Sequence, residues 1–216
     1  MTRPVLVVTA VEPERRAVLA GLPSPSPVTV AVTGVGPVAA AAGTARLLAL
    51  AEAAGTPYRT VVSAGIAGGF AGRAPVGATV LARRSIQADL GAQGPDGFLT
   101  LDQLGFGTVV ADADKATLAR LAAGIPDPLV GDVLTVATVT GTAERAAELA
   151  RAHPGALAEG MEGYGVACAA AAAGAAFAEL RTVSNLVGPR DRSAWRVDEA
   201  LAALTRAATA LTAVAG

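Results

Sequence analysis

Short β-branched runs alternate along this chain with alanine-rich stretches of helical length. That alternation confines it to the α/β class, with helices on both faces of a mostly parallel sheet. Residues 5–9 read as a first strand. They are followed by an acidic turn at Glu12-Pro13-Glu14 and a helix through Leu19, since proline is tolerated in a helix's first turn. Residues 28–32 predict a second strand, Gly34-Val35-Gly36-Pro37 a tight turn, and residues 38–53 a helix. A third strand over 60–63 is closed by the glycine turn Ala64-Gly65-Ile66-Ala67-Gly68-Gly69. Residues 76–88 predict a longer strand, and 91–107, with Pro95, Asp96, Gly97 and Phe98, an irregular loop of the kind that carries function. Beyond it come a helix over 112–123, an extended run over 129–138, a helix over 143–152, a buried helix over 161–173 and a last strand over 177–184. A basic loop over 188–195 leads to a terminal helix over 198–214, with leucines recurring at Leu201, Leu204 and Leu211.

At 216 residues the chain is long enough for one sizeable core, and a single domain over 1–216 is expected. Only 16% of residues are charged and the formal net charge is -1, so no basic surface is available to release counterions from nucleic acid. A small-molecule partner is the alternative. The apolar run from Val166 to Ala176 is mostly alanine interleaved with glycine, which argues against a membrane span. One cysteine, Cys168, forms no intramolecular disulfide, and no charged leader precedes the first strand; a cytoplasmic location is expected. His153 and Cys168 each lack partners at ligand spacing, so no metal or other cofactor is expected, and His153 reads as a helix-end residue.

Four places fall where an open α/β sheet puts ligands, at the carboxyl ends of strands: Glu14, the Gly65 turn, Glu162 and Asn185. Each has a plain structural explanation. An acid in a helix's first turn is favoured by the macrodipole, Met161 fills cores, and asparagine is a frequent turn residue.

Their combination is more specific. The string Ala10-Val11-Glu12-Pro13-Glu14, the Gly65 turn, Met161-Glu162-Gly163 and Ser184-Asn185, in this order and spacing, resemble the purine nucleoside phosphorylase and nucleosidase superfamily. Ala88-Asp89-Leu90-Gly91, Glu159-Gly160-Met161-Glu162-Gly163 and Ser184-Asn185-Leu186-Val187-Gly188-Pro189-Arg190-Asp191-Arg192 look most like its futalosine-hydrolysing family, nucleosidases of menaquinone biosynthesis that release hypoxanthine. The resemblance implies a three-layer αβα fold around a central twisted mixed sheet, hydrolysis of an N-glycosidic bond, and a homodimer or larger homo-oligomer in which the 91–107 loop reaches a neighbour's pocket.

It also implies roles. Glu14 orients and activates the attacking water, with Glu12 as its rival, and Glu162 accepts from both ribose hydroxyls, since a vicinal diol presents two donors to one carboxylate. Met161 packs under the sugar, and Ala67, Gly68, Val139, Thr140 and Ser184 line the pocket. Asn185 accepts from N7–H and donates to O6 of a 6-oxopurine, where relatives acting on adenine nucleosides carry an aspartic acid. The amide can flip, so adenine is not excluded by residue type alone. Phosphorylases of the superfamily place an arginine and a hydroxyl where this chain has Ser63 and Ile66, so water is the expected nucleophile.

Arg190, Arg192 and Arg84 are candidates to hold the carboxylate of a 5' substituent, with Leu104 and Phe106 covering its ring; Trp195 anchors the terminal helix or flanks the ligand. Other readings stay open: a nucleosidase for methylthioadenosine, adenosylhomocysteine or inosine, or a nucleoside-binding protein without turnover. A dinucleotide-binding dehydrogenase is a further rival, because Gly34-Val35-Gly36-Pro37-Val38-Ala39 fits the fingerprint. It lacks the acid at the end of the next strand that a ribose would need.

Overall fold

A computed structural model describes residues 4–95 and 97–215. The elements run β1 (Val5–Thr9), α1 (Glu12–Gly21), β2 (Val28–Val32), α2 (Pro37–Ala53), β3 (Thr60–Gly69), β4 (Thr79–Gln87), β5 (Gly91–Gly94), β6 (Gly97–Thr100) and the single turn α3 (Leu101–Leu104). There follow β7 (Val110–Asp112), α4 (Lys115–Gly124), β8 (Leu129–Thr135), α5 (Ala143–Ala152), β9 (Ala156–Gly160), α6 (Gly163–Ala172), β10 (Ala176–Leu186) and α7 (Val197–Ala208), with 3-10 turns at Arg192–Ala194 and Thr209–Ala215.

The central sheet is mixed. β1 lies between β2 and β3, all parallel, and β10 runs parallel to β3 on its other side. β10 then pairs antiparallel with β4, β4 parallel with β8, β8 parallel with β9, and β9 antiparallel with the far end of β3. These pairings close a ring on β3, from which β1 and β2 extend.

β1 shows why the sheet is sandwiched. All five of its residues are buried, and alternate side chains leave on opposite faces. Val5 and Val7 join Val18 of α1, Leu121 of α4 and Leu204 of α7 in one core, with Leu211. Leu6 and Val8 join Ala40 and Leu48 of α2, Val166 and Ala170 of α6, and Phe177 in the other. Each such valine or leucine contributes about 1.5–3 kcal/mol on burial, so the strand is pinned from both sides. The expected α/β layering is therefore present. Among the described residues no helix is long and apolar enough to cross a membrane.

Several expected boundaries are corrected. The glycine run 64–69 is not a turn: it continues β3, because Leu180–Leu186 of β10 pairs with Ala64–Gly69 along one edge while β9 pairs with Gly68 and Gly69 along the other. The 91–107 segment is the hairpin β5–β6 followed by α3 rather than an irregular loop; Asp96 lies outside the described residues. β9 was not foreseen, since Ala-Leu-Ala-Glu-Gly has little strand propensity of its own. The last strand runs on through Asn185 to Leu186, and the terminal helix gives way to a 3-10 turn at Thr209. His153 directly follows α5 as its cap.

Candidate active site

Glu14 sits in the first turn of α1, only 4% exposed. Its Oε2 accepts from the main-chain N–H of Ala10 (3.0 Å) and Val11 (3.2 Å), and its Oε1 from that of Ile66 (2.9 Å). A side chain at Gly65 is impossible here, because its Cβ would stand 2.5 Å from Glu14 Oε1 and 2.9 Å from Arg181 Nη1. The glycine-rich half of β3 thus serves to bring a carboxylate and a guanidinium together beneath the strand. Burial raises the Glu14 carboxyl above its ordinary value, against the lowering effect of the Ile66 N–H and Arg181. Glu12, the rival, is exposed and pairs with Arg15 at 3.0 Å.

Glu162 ends the β9 side of the site and begins α6. Its Oε1 accepts from Gly36 N–H (3.2 Å), and its Oε2 from Arg181 Nη1 (3.1 Å) and Met161 N–H (3.3 Å). Gly36, at φ +91°, is the second glycine of the fingerprint-like turn. That turn orients Glu162, which accounts for the spacing that a dinucleotide site would otherwise explain; β3 carries no acid at its end.

Arg181 escaped the sequence reading. It is buried at 1% exposure in β10 and, besides Glu162, donates through Nε to Glu179 Oε1 (2.8 Å) and through Nη2 to Ser63 Oγ (3.0 Å). Burial opposes its charge, but Glu179, Glu162 and Glu14 outweigh that and hold the guanidinium above its ordinary pKa. Glu179 in turn is raised by burial and accepts a hydrogen bond from Ser85 Oγ. One cation serves three carboxylates, and burial, against the lowering effect of that cation, holds Glu14 and Glu179 above the ordinary carboxylate value. Glu179 and Arg181, opposite charges at alternate positions of a buried strand, were the available signal.

Asn185 sits at the opposite wall. Its Nδ2 donates to the carbonyl of Leu186 (3.0 Å) and its Oδ1 accepts from Ser184 Oγ (2.8 Å). A carbonyl can only accept, so Leu186 fixes which way the amide faces. One amide hydrogen and one carbonyl lone pair remain for a ligand. Nearby, the Glu159 carboxylate accepts from Thr140 N–H (2.9 Å) and Thr140 Oγ1 (2.5 Å), and burial raises its pKa.

A cavity of about 280 Å³ joins these groups. Glu14, Glu162, Asn185, Met161 and Ser184 line it, as do Ala67, Gly68, Val139, Thr140 and Arg190. Trp195 also lines it, with the Arg190 guanidinium 5.5 Å from its ring centroid. Glu159 completes the wall and had not been proposed. The structure does not bring the other candidates here. Phe106 is 79% exposed beyond α3, because Gly105 turns the chain outward; Arg192 is exposed in the 3-10 turn. Leu104 lies in α3, outside the cavity wall, and Arg84 is held by Asp132 (2.5 Å) on another surface.

A cavity open to solvent between strand ends, with acids at one side and a fixed amide at the other, is a nucleoside-sized site, and the chain belongs to the Phosphorylase superfamily, which residues 8–215 match. Two sequence relatives narrow this. The futalosine hydrolase of Streptomyces coelicolor is 52% identical, covering 94% of this chain and 92% of its own length, and that of Thermus thermophilus 38% identical, covering 85% and 80%. Within the superfamily the chain therefore belongs with the futalosine hydrolases. A methylthioadenosine/S-adenosylhomocysteine nucleosidase from Colwellia psychrerythraea, solved with adenine, shares the fold at a TM-score of 0.83 and 20% identity, covering 100% of this chain and 96% of that one. A futalosine hydrolase of Helicobacter pylori does so at 0.79 and 18%, covering 99% and 97%.

Proposed function

We propose that the chain, acting over 1–216 as one nucleosidase domain, hydrolyses the purine–ribose bond of futalosine, releasing hypoxanthine and dehypoxanthinylfutalosine in menaquinone biosynthesis. The observation that carries this is the convergence of Glu14 and Glu162 on Arg181 beneath one cavity, with the orientation-locked amide of Asn185 across it.

Cleaving a C–N glycosidic bond builds positive charge on the sugar, and carboxylates around it stabilise that charge. Glu162 accepts from the 2' and 3' hydroxyls, its geometry set by Gly36 and Arg181. Glu14, held by three N–H groups, takes the proton of the attacking water as its oxygen bonds to the anomeric carbon. The C–N pair leaves with the purine, where Asn185 accepts from N7–H and donates to O6. Asparagine supplies no proton itself, so the one that reaches N7 comes from elsewhere. Three acids against the single cation Arg190 on the cavity wall disfavour an anionic phosphate as nucleophile and leave water.

Arg190 receives the carboxylate of the 5' substituent, supported by its place in the wall and its stacking on Trp195. The reading includes a cytoplasmic homodimer or larger homo-oligomer. Exposed Leu90, Leu99 and Phe106, clustered along the 90–106 segment, support the assembly; light scattering that finds only monomer would remove it.

Incubation with futalosine in phosphate-free buffer, followed by chromatography, tests the activity. Hypoxanthine release without phosphate is expected; no release, or release only with phosphate and a sugar phosphate product, would overturn it.

A further inference from the structure

The catalytic reading leaves one buried acid of the cavity unused. Gly68 of β3 is in register with Asn185 on one side and with Glu159 on the other. The β10 register slips between Val183 and Asn185, yet Asn185 Nδ2 lies on the Cβ side of Gly68, and two strand spacings separate the β10 and β9 backbones by about 10 Å. Gly68 has no side chain, and a Cβ there would stand 3.0 Å from Val187 Cγ2 and 3.5 Å from Asn185 Nδ2; the Glu159 carboxylate and the Asn185 carboxamide line the same cavity on either side of this glycine. An ionised carboxylate has about four acceptor positions and no donor. Thr140 N–H and Thr140 Oγ1 occupy two of them. Thr140 thereby anchors Glu159 as part of the wall, with acceptor capacity left over.

A 6-oxopurine in its lactam form presents three polar groups along this edge: an N1–H donor, the O6 acceptor and N7. A 6-aminopurine presents a bare N1 lone pair instead. Asn185, its Nδ2 held toward Leu186, serves N7 and O6. We propose that Glu159 accepts the N1–H of a 6-oxopurine base, and that it determines the site's rejection of the 6-amino counterpart. The inference rests on the reading that this cavity binds a purine nucleoside. An acceptor-only group facing the N1 lone pair of a 6-aminopurine is repelled and left without its donor, which is the circumstance in which a polar site discriminates strongly.

The test is the ratio of kcat/KM for inosine to that for adenosine in the wild type and in Glu159→Gln, with calorimetry of hypoxanthine against N1-methylhypoxanthine in the wild type and in Glu159→Ala. Loss of a charge-assisted acceptor should lower the inosine-to-adenosine ratio in Glu159→Gln by at least about tenfold. The wild type should bind hypoxanthine over its N1-methyl derivative, and Glu159→Ala, which removes the acceptor and makes room for the methyl group, should largely erase that preference. A ratio unchanged within about twofold, or a methyl preference that survives in Glu159→Ala, would overturn the proposal. The binding arm needs no turnover. A wild type that discriminates between the two bases through Glu159 but hydrolyses neither nucleoside nor futalosine would refute the enzymatic reading and leave this one standing.

Discussion

Arg181→Met should cost the protein much of its stability. The substitution keeps an unbranched apolar stem in β10 and deletes bonds to Glu162 (3.1 Å), Glu179 (2.8 Å) and Ser63 (3.0 Å). Glu162 and Glu179 are left buried without their ion-pair partner, and Glu14 loses the same nearby charge. Hydrogen bonds to charged groups contribute about 1.5–3 kcal/mol each, which for two gives about 3–6 kcal/mol. Removing one partner of a buried ion pair typically destabilises by about 3–5 kcal/mol. The second range is preferred, because the orphaned acids escape part of the penalty by binding protons. Urea unfolding is the assay. With a slope of about 2 kcal/mol per molar, the midpoint should fall by about 1.5–2.5 M at pH 7.5. The pH dependence has a definite sign. Burial already raises Glu179 and Glu14 in the folded chain. A raised folded pKa contributes stability that is fully present below the unfolded value and is lost as pH rises through the folded one. Removing the cation raises both acids further, so the deficit relative to wild type should widen on going from pH 5 to pH 7.5. A loss under about 1 kcal/mol, or one that does not change with pH, would refute the assignment of Arg181 as the counter-ion of this cluster.

Glu14→Gln should lower kcat/KM by about 10²–10⁴-fold, the usual worth of a positioned base, while circular dichroism stays unchanged. In the wild type the acid limb of the kcat/KM profile should titrate above the ordinary carboxylate range, because burial raises Glu14 and catalysis needs it ionised; a limb at or below that range counts against Glu14. Glu162→Ala should lower kcat/KM at least about 10²-fold, from two lost charge-assisted bonds to the diol, and a 2'-deoxynucleoside should suffer less further loss in this variant than in wild type. Arg190→Met should reduce kcat/KM for futalosine while leaving that for inosine nearly unchanged; an equal effect on both would place the 5' carboxylate elsewhere.

Much of the fold was legible in sequence because local pattern and tertiary demand agree. β1 and β2 are β-branched runs and α1 and α2 carry proline in their first turn, local signals that coincide with where these elements pack. The failures share a cause: the partner, not the segment, decides. Gly65-Ile66-Ala67-Gly68-Gly69 has the composition of a turn, yet β9 and β10 supply hydrogen bonds on both edges, and the missing side chains make room for Glu14 and Arg181. Ala156–Gly160 pairs only because β8 and β3 flank it. Glu14, Glu162 and Asn185 could be picked out by spacing against a familiar pattern. Glu159 could not, since its anchor Thr140 is 19 positions away, and Arg181 carried only a weak signal in its spacing from Glu179, because its contacts with Glu162 and Ser63 are long-range. Phe106 lies outside this chain's own cavity, 79% exposed, so its local sequence says nothing of what it covers.

The proposed chemistry depends on a sugar that turns cationic between Glu14 and Glu162. The direct measurement is the affinity for a hypoxanthine-like nucleoside analogue whose sugar ring carries a protonated nitrogen, compared with the same analogue bearing a neutral ring oxygen. Complementarity to the charged sugar should make the cationic compound bind at least about 10²-fold more tightly, with the advantage largely lost in Glu162→Gln. Equal binding of the two compounds would contradict the account.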